Sequence, residues 1–173
     1  MNRYFFVLIF LLCVGCAEKE MVIEQDVYHN EELNFKIDIP DQWRAVIEPD
    51  RKSGRSNIVI NIKDPDNESM IVFSAMNSYI ASKEAVLLDI ERFRYSRTKK
   101  FKLVNKGVWS GKLYKGYYLE NYINVLGVRV YQFRVYIKTP KQINLFILSS
   151  SSKDIADIYK PTFFDFINSF VDS

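Results

Sequence analysis

The clearest pattern of hydrophobic and polar positions in the chain is a run of three strand-like segments between residues 112 and 149. These segments are dense in Tyr, Val, Ile and Phe, which favour strands. Gly127 supplies the positive φ that a tight hairpin needs, and Pro140 donates no backbone hydrogen bond, so a strand has to end there. The pattern predicts an antiparallel meander. Its strands are Lys112–Asn124, Val128–Lys138 and Gln142–Ser149.

Alternation along these strands predicts which side chains face the core. The predicted core positions are Tyr131, Phe133, Val135 and Ile137 in the second strand and Ile143, Leu145 and Ile147 in the third. The opposite faces are also largely apolar. They carry Tyr118, Tyr122, Tyr136, Phe146 and Leu148, interleaved with Gln132 and Arg134. We therefore predict that both faces of the sheet are covered.

The tyrosines of the meander have two interpretations. Rows of tyrosine are ordinary packing on a covered sheet. They also suit an aromatic surface that binds a small ligand or a lipid. The residues of this predicted ligand surface are Tyr114, Tyr118, Tyr122 and Tyr136.

Shorter strands precede the meander. Phe35, Ile37 and Ile39 alternate with polar residues and predict a half-buried strand, which ends in a turn at Pro40. Trp43 follows this turn, and we interpret it as an aromatic plug over the sheet in preference to a ligand platform. Further strands are predicted at Val27–Asn30, Ile58–Ile62, Met70–Met76 and Phe101–Trp109.

Two segments have helical patterns. Ser82–Lys100 begins with a candidate N-cap, contains neither Gly nor Pro, and has an apolar face. That face consists of Val86, Leu87, Ile90 and Phe93. A second helix is predicted to begin at Pro161, after a short helical turn through Tyr159. Its apolar stripe consists of Phe163, Phe166, Ile167 and Phe170. The predicted fold class is therefore α+β, with a single antiparallel sheet of about six to eight strands flanked by helices.

The N-terminal segment has the pattern of a processing signal. Arg3 gives a positive start, and an almost wholly apolar run follows from Tyr4 to Val14. A helix that spans a bilayer needs roughly 20 apolar residues, so this run is too short. It ends in Cys13-Val14-Gly15-Cys16, which resembles the bacterial lipoprotein signal. In that signal a small residue precedes a cysteine that is diacylated and becomes the mature N-terminus.

We predict from this run a signal peptide at residues 1–15, a tether at 16–27 and a folded domain at 28–173. The diacylglycerol on Cys16 would hold the domain on a membrane, because each buried CH₂ contributes about 0.8 kcal/mol. Ala17 is not the Asp that favours inner-membrane retention, so the outer membrane is expected where a cell has two membranes. An ordinary secretory signal or a retained anchor remain the alternatives.

Cysteine usage and charge narrow the class of protein. Both cysteines, Cys13 and Cys16, lie in the signal region, so no disulfide can form within the mature domain. The net charge of +3 includes Arg3. No general basicity indicates binding to nucleic acid.

Charged clusters in the chain have ordinary explanations. Asp64, Asp66 and Glu68 suit a solvated turn better than a calcium loop, which requires a glycine at its sixth position and an acid at its twelfth. A group of cations ends the first predicted helix, where it complements the helix dipole or meets phosphates or anionic headgroups. These cations are Arg92, Arg94, Arg97, Lys99 and Lys100.

Candidate catalytic chemistry is sparse. His29 is the single histidine, so a histidine-based zinc site and a Ser-His-Asp triad both lack parts. Six glycines leave little material for a loop that cradles phosphate. We predict no catalytic residue, no metal and no cofactor. Local carboxylate pairs, such as Asp38 with Asp41 or Asp154 with Asp157, are ordinary in turns and at helix starts. The catalytic alternative is a hydrolase built on two carboxylates that the fold brings together.

The segment from Asn34 to Trp43 resembles the opening of PsbP-like domains, in which glycine, an aromatic residue, a strand, a proline and a tryptophan follow one another. Asn34 stands where the family more often has glycine. The later order of hairpin, helix, long antiparallel run and terminal helix is also similar, over about Tyr28–Val171. The resemblance implies an antiparallel sheet between helices in an α/β/α sandwich. Members include extrinsic photosystem subunits, a nuclear import factor that binds a small GTPase, and many bacterial lipoproteins, which share binding and not catalysis.

Three functions are therefore expected, in descending order. The first is a membrane-anchored, non-catalytic binding or accessory domain for a protein complex of the cell envelope. The second is a carrier of a small ligand or lipid on the tyrosine-rich face. The third is an envelope hydrolase that uses carboxylates.

Overall fold

The computed structural model describes residues 21–23, 26–31, 34–41, 43–49, 58–63, 69–76, 87, 101–125, 127–140 and 143–172. They form eleven strands and a long helix. The strands are β1 (Met21–Ile23), β2 (Val27–Asn30), β3 (Phe35–Asp38), β4 (Arg44–Pro49), β5 (Ile58–Lys63), β6 (Ser69–Met76), β7 (Lys102–Ser110), β8 (Lys115–Val125), β9 (Val128–Lys138), β10 (Ile143–Ser150) and β11 (Val171–Asp172), and the helix is α1 (Lys153–Ser169).

The main sheet has eight strands in the order β1-β4-β5-β6-β10-β9-β8-β7. All the pairs are antiparallel. The predicted meander is confirmed as β8, β9 and β10. Gly127 has φ +89° in the β8–β9 turn, and its N–H donates to Asn124 Oδ1 at 2.8 Å. The first strand of the meander is predicted to begin at Lys112, but β8 begins at Lys115, and residues 112–114 belong to the connection from β7.

The prediction of a single sheet is wrong, because β2, β3 and β11 form a second, three-stranded sheet. Ile39 N–H donates to Asp26 O at 2.7 Å and extends the β2–β3 ladder by one pair. Trp43 N–H donates to Pro40 O at 3.1 Å, which closes a turn after β3. Pro40 has no N–H with which to continue the ladder. Asn34 has φ +53° before β3, the left-handed conformation that glycine favours and asparagine tolerates.

The C-terminal helix is longer than predicted. It begins at Lys153, and Pro161 lies inside it, not in its first turn. Ser152 is the N-cap, and its hydroxyl accepts a hydrogen bond from Ile155 N–H at 3.2 Å. The cap at Ser152 therefore places the start of the helix two turns before Pro161. The predicted stripe is confirmed, since Phe163, Phe166, Ile167 and Phe170 are all buried.

The helix covers one face of the main sheet, which we call the helix face. Tyr131, Phe133, Val135 and Ile137 lie on it, as predicted. The prediction for the third strand is correct in part. Ile143 is buried, as predicted, but on the far face, whereas Phe146 and Leu148 face the helix. The reason is the register: β9 and β10 pair odd with even positions, so Phe146 stands beside Val135. Trp43 packs against the core with its ring 6.0 Å from Tyr159, which confirms the aromatic plug.

Several predictions lie outside the described residues. They concern residues 1–20 with Cys16, the carboxylates at 64–68, and Ser82–Lys100 apart from Leu87. Leu87 is helical and 43% exposed. Within the predicted tether, β1 is paired with β4.

Candidate functional site

An aromatic row crosses the helix face of the main sheet. Gly107 stands opposite Tyr118, and a Cβ there would lie only 2.7 Å from the tyrosine ring, so glycine makes room for it. Tyr118 stacks on Phe133 with ring centroids 5.4 Å apart and an interplanar angle of 11°. Phe133 in turn meets Phe163 and Phe164 of α1 edge to face, at 6.0 and 5.7 Å. The row thus joins β8 and β9 to α1 through packed rings.

A carboxylate and a phenol meet beside this row. Glu120 is 8% exposed, and Tyr131 on the neighbouring strand is fully buried. Tyr131 Oη donates a hydrogen bond to Glu120 Oε2 at 2.7 Å. Burial, together with this bond to a carboxylate, raises the pKa of Tyr131 far above its ordinary value. The phenol therefore stays protonated and keeps its role as donor near neutral pH.

The helix adds charged groups to this pair. Lys160 Nζ lies 2.6 Å from Asp157 Oδ1 and 3.9 Å from Glu120 Oε1. The same ammonium lies 4.9 Å from the centroid of the Phe133 ring. Burial by itself would raise the pKa of Asp157, but hydrogen bonds from Lys153 and Lys160 outweigh it and lower that pKa. We call Glu120, Tyr131, Asp157 and Lys160 the Glu120 cluster.

The Glu120 cluster is arranged to hold the helix on the sheet. A general base needs a lone pair aimed at a substrate proton. One oxygen of Glu120 accepts from Tyr131, and the other faces Lys160. A buried charge that is paired and hydrogen-bonded stays in place at modest cost. The arrangement therefore fixes where α1 lies on β8 and β9.

The predicted ligand surface is not one surface. Tyr114, Tyr118 and Tyr122 pack against the core of the helix face, whereas Tyr136 belongs to the second apolar cluster on the far face. In the β8–β9 register Tyr118 stands opposite Val135, so its side chain lies on the helix face. The alternation along the sequence predicts the other face.

The helix-face tyrosines make contacts inside the protein. Tyr114 Oη accepts from Asp172 N–H at 3.1 Å, and its ring lies 5.7 Å from Phe170. Tyr118 Oη accepts from Asn105 Nδ2 at 3.0 Å. These two phenols thus tie strand ends and neighbouring strands together.

Tyr122 packs against the same core from the β8–β9 hairpin. Its ring meets that of Tyr131 edge to face at 5.4 Å. The guanidinium of Arg129 lies above it, 4.1 Å from its centroid. This is a cation–π contact across the β8–β9 hairpin.

The far face contains a polar group of a different kind. Asn121 is fully buried, and both its Oδ1 and its Nδ2 are without a hydrogen-bond partner. Gln132, which is paired with it across the strands, donates instead to Ser149 Oγ at 3.1 Å and accepts from Arg134. Asn121 therefore sits beside a polar network without taking part in it.

A cleft of about 260 Å³ lies between β3 and α1. Three carboxylates line it, those of Asp38, Asp41 and Asp165, and all three residues are exposed. Ser169 also lines it, but its hydroxyl accepts from Asp38 N–H at 2.9 Å and donates to Phe166 O at 2.8 Å. The hydroxyl is therefore committed to the end of the helix and does not face a base as a nucleophile would.

Sequence reasoning did not find the Glu120 cluster. Two signals for it exist: Lys153, Asp157 and Lys160 have the spacing of ion pairs on one helix face, and Glu120 interrupts a strand of tyrosines. What the sequence could not supply is the register that brings Glu120 to Tyr131. In the part of the chain that the structure describes, no group of three His, Cys, Asp or Glu side chains could hold a metal ion. No helix among those residues has the length and apolar character to cross a bilayer.

Comparison with known proteins gives a fold and no family. No protein-family model matches the chain, and no curated protein matches it. Among solved structures, the chain is similar to the cyanobacterial PsbP protein CyanoP from Synechocystis sp. PCC 6803. The TM-score is 0.60 at 12% identity, with 92% of this chain and 96% of CyanoP covered.

Two further structures are similar. A protein of unknown function from Pseudomonas aeruginosa matches with a TM-score of 0.58 at 16% identity, over 84% of this chain and 94% of the other. A protein from Bacteroides thetaiotaomicron matches with a TM-score of 0.56 at 10% identity, over 87% of this chain and 49% of the other. Likeness at such low identity establishes the architecture alone. The chain therefore has a PsbP-like fold, in which antiparallel sheets pack on a helix.

Proposed function

We propose that this protein is a lipoprotein of the cell envelope whose PsbP-like domain is a non-catalytic, accessory part of a protein complex. The observation that carries the proposal is the run Cys13-Val14-Gly15-Cys16, which ends an apolar segment near the start of the chain. Acyl chains on Cys16 anchor the domain, and the outer membrane is its location where there are two membranes. The partner is a protein of the same envelope.

The polar groups of the domain support an accessory role. Glu120, Tyr131 and Lys160 satisfy one another, and the hydroxyl of Ser169 is bonded within the fold. The carrier has less support, since Tyr136 lies on the other face from Tyr114, Tyr118 and Tyr122. The hydrolase would have to use the exposed carboxylates of the cleft. Among the residues that the structure describes, no contact favours the carrier or the hydrolase in particular.

Metabolic labelling with a palmitate analogue tests the anchor. The wild type is expected to carry label and to sediment with membranes, and Cys16→Ser is expected to lose both, because a hydroxyl cannot form the thioether. Cys13→Ser is the matched control, since Cys13 is removed with the signal peptide, and it should keep the label. Label on the Cys16→Ser protein, or an unlabelled and fully soluble wild type, would overturn the anchor.

A pull-down from solubilised envelope tests the accessory role. The tagged protein should recover a defined envelope protein in a constant ratio, and the recovery should survive Asp165→Asn in the cleft. Recovery of nothing above the untagged control, with the domain folded, would count against the proposal.

A further inference from the structure

The strand β7 forms one edge of the main sheet. It is nine residues long and pairs with β8 on one side, and no strand in the described part of the chain pairs with its other side. Alternate residues of such a strand direct N–H and C=O groups outward, where they can bind another strand. A bulge between Leu103 and Asn105 disturbs its first part. The regular stretch is therefore Lys106–Ser110.

Apolar side chains are exposed along this edge. Val108 is 65% exposed, and Leu113, in the connection after β7, is 62% exposed. Leu103 and Val104 are 38% and 41% exposed. Four exposed apolar residues thus lie within eleven positions of one edge, which distinguishes it from the helix-covered part of the sheet.

The same edge is uniformly basic. Residues 101–119 contain no carboxylate. They contain four lysines, all exposed: Lys102, Lys106, Lys112 and Lys115. A segment that binds here gains from negative charge.

Two kinds of strand could pair with this edge: β7 of a second copy of the chain, or an extended segment of another protein. A second copy of the chain could pair β7 with β7, but this would bring together two segments that contain lysines and no carboxylate. Like charges directly opposite each other disfavour such a pair, and edge lysines commonly prevent it. An extended segment with acidic residues at alternate positions would instead be attracted to the exposed lysines and would cover Val108.

We propose that β7 binds an extended, acidic segment of a partner protein, which adds a strand to the main sheet beyond Lys106–Ser110. The inference rests on the proposed function, because it names how the envelope partner docks. Backbone hydrogen bonds provide affinity for any extended segment, and contacts with the lysines and Val108 provide specificity for an acidic one.

The position of β7 suits this role. The strand β1 is at the opposite edge of the sheet, and it follows Cys16 closely in the chain. Seven strand spacings of about 4.8 Å separate the two edges by roughly 34 Å. The docking edge is thus the part of the sheet that lies farthest from the anchored end.

Photo-crosslinking in the living cell tests the proposal. A benzophenone amino acid is placed at Val108 or Ser110 of the full-length protein, and at Ile158 as a control, which is 71% exposed on α1. We expect both β7 probes to crosslink to one partner, at residues two positions apart, because paired strands advance in step. Mass spectrometry of the crosslinked peptides should show a segment with more acidic than basic residues.

Charge reversal provides the second measurement. Lys106→Glu should lower the crosslinking yield at Val108 about tenfold, whereas Lys36→Glu, an exposed lysine on β3, should change it less than about twofold. Yields no higher than at Ile158, a crosslink to a second copy, unrelated crosslinked positions, or equal effects of the two reversals would each overturn the proposal. If crosslinking fails while Cys16 is labelled and the pull-down recovers a partner, only the docking edge is wrong.

Discussion

On the helix face of the main sheet, the buried carboxylate of Glu120 accepts a hydrogen bond from Tyr131 and faces Lys160. On the far face, Asn121 is just as deeply buried, and neither polar atom of its side chain has a partner. The two residues are neighbours on the same strand. Burial alone therefore does not decide what a polar side chain does to stability, since its partners determine the sign.

This comparison predicts opposite effects for the two faces, beginning with the apolar contacts of the helix. Phe166 is 1% exposed and meets Phe146 edge to face at 6.0 Å. Phe166→Ala should lower the free energy of unfolding by about 3–5 kcal/mol, because it removes apolar burial and leaves a cavity. Urea unfolding measures the change. Ile158→Ala, on the exposed side of the helix, should change it by less than about 0.5 kcal/mol.

The next effect concerns the Glu120 cluster. Tyr131→Phe leaves a buried carboxylate oxygen without its donor and should lower the free energy of unfolding by about 1–3 kcal/mol. Tyr118→Phe is the matched control, because the Tyr118 hydroxyl bonds only to the exposed side chain of Asn105. Equal losses in the two variants would contradict the role assigned to Tyr131.

Alkaline pH tests the hydrogen bond of Tyr131 in a second way. The folded protein raises the pKa of Tyr131 above its ordinary value of 10.0, so its contribution to stability is complete below pH 10 and is lost as pH rises further. Wild-type stability should therefore fall above pH 10 by up to about 1.4 kcal/mol per pH unit more steeply than that of Tyr131→Phe. Parallel pH profiles for the two proteins would refute this.

On the far face the sign should reverse. Asn121→Leu replaces an amide without partners by an apolar group of similar size and should raise the free energy of unfolding by about 1 kcal/mol. Asn124→Leu is the contrasting control, since Asn124 Oδ1 accepts from Gly127 N–H in the hairpin turn, and it should be destabilising. A clear loss of stability for Asn121→Leu would show that this amide has a partner after all.

The smallest effect is expected at the rim of the Glu120 cluster. Burial opposes ionisation of Asp157, but hydrogen bonds from Lys153 and Lys160 outweigh it and hold its pKa below the ordinary value of 3.8. The ionised carboxylate therefore stabilises the fold above that pH, and this stabilisation disappears as the carboxyl protonates. Because the side chain is 40% exposed, Asp157→Asn should cost less than about 1 kcal/mol at pH 7. Its stability should converge with that of the wild type once the pH falls well below 3.8 and the wild-type carboxyl protonates. A difference that persists there would contradict the ionic origin.

Much of the fold could be predicted from the sequence, because local signals determined it. Gly127 and Pro140 punctuate the meander, and the stripe that contains Phe163 and Phe166 identifies the face of the helix. The site could not be predicted in the same way. Whether Tyr118 and Phe146 face the helix depends on the pairing of odd with even positions in two hairpins, and a shift of one residue inverts every face.

The second sheet escaped prediction for a related reason. β11 is two residues long and pairs with β3, more than a hundred positions away in sequence. Local periodicity cannot detect such a pair. The helix start differs for the opposite reason. Proline suits the first turn of a helix, so Pro161 predicts a start there, whereas Ser152 caps the helix two turns earlier.

The pairing of β3 with both β2 and β11 has a consequence for the order of events in biosynthesis. Phe35 and Phe170, whose rings lie 5.8 Å apart, close the core from early and late parts of the chain. A chain that has not been synthesised as far as Asp172 lacks the third strand of the small sheet. Nascent protein therefore lacks the last strand of the small sheet and the ring of Phe170 until synthesis has passed that point.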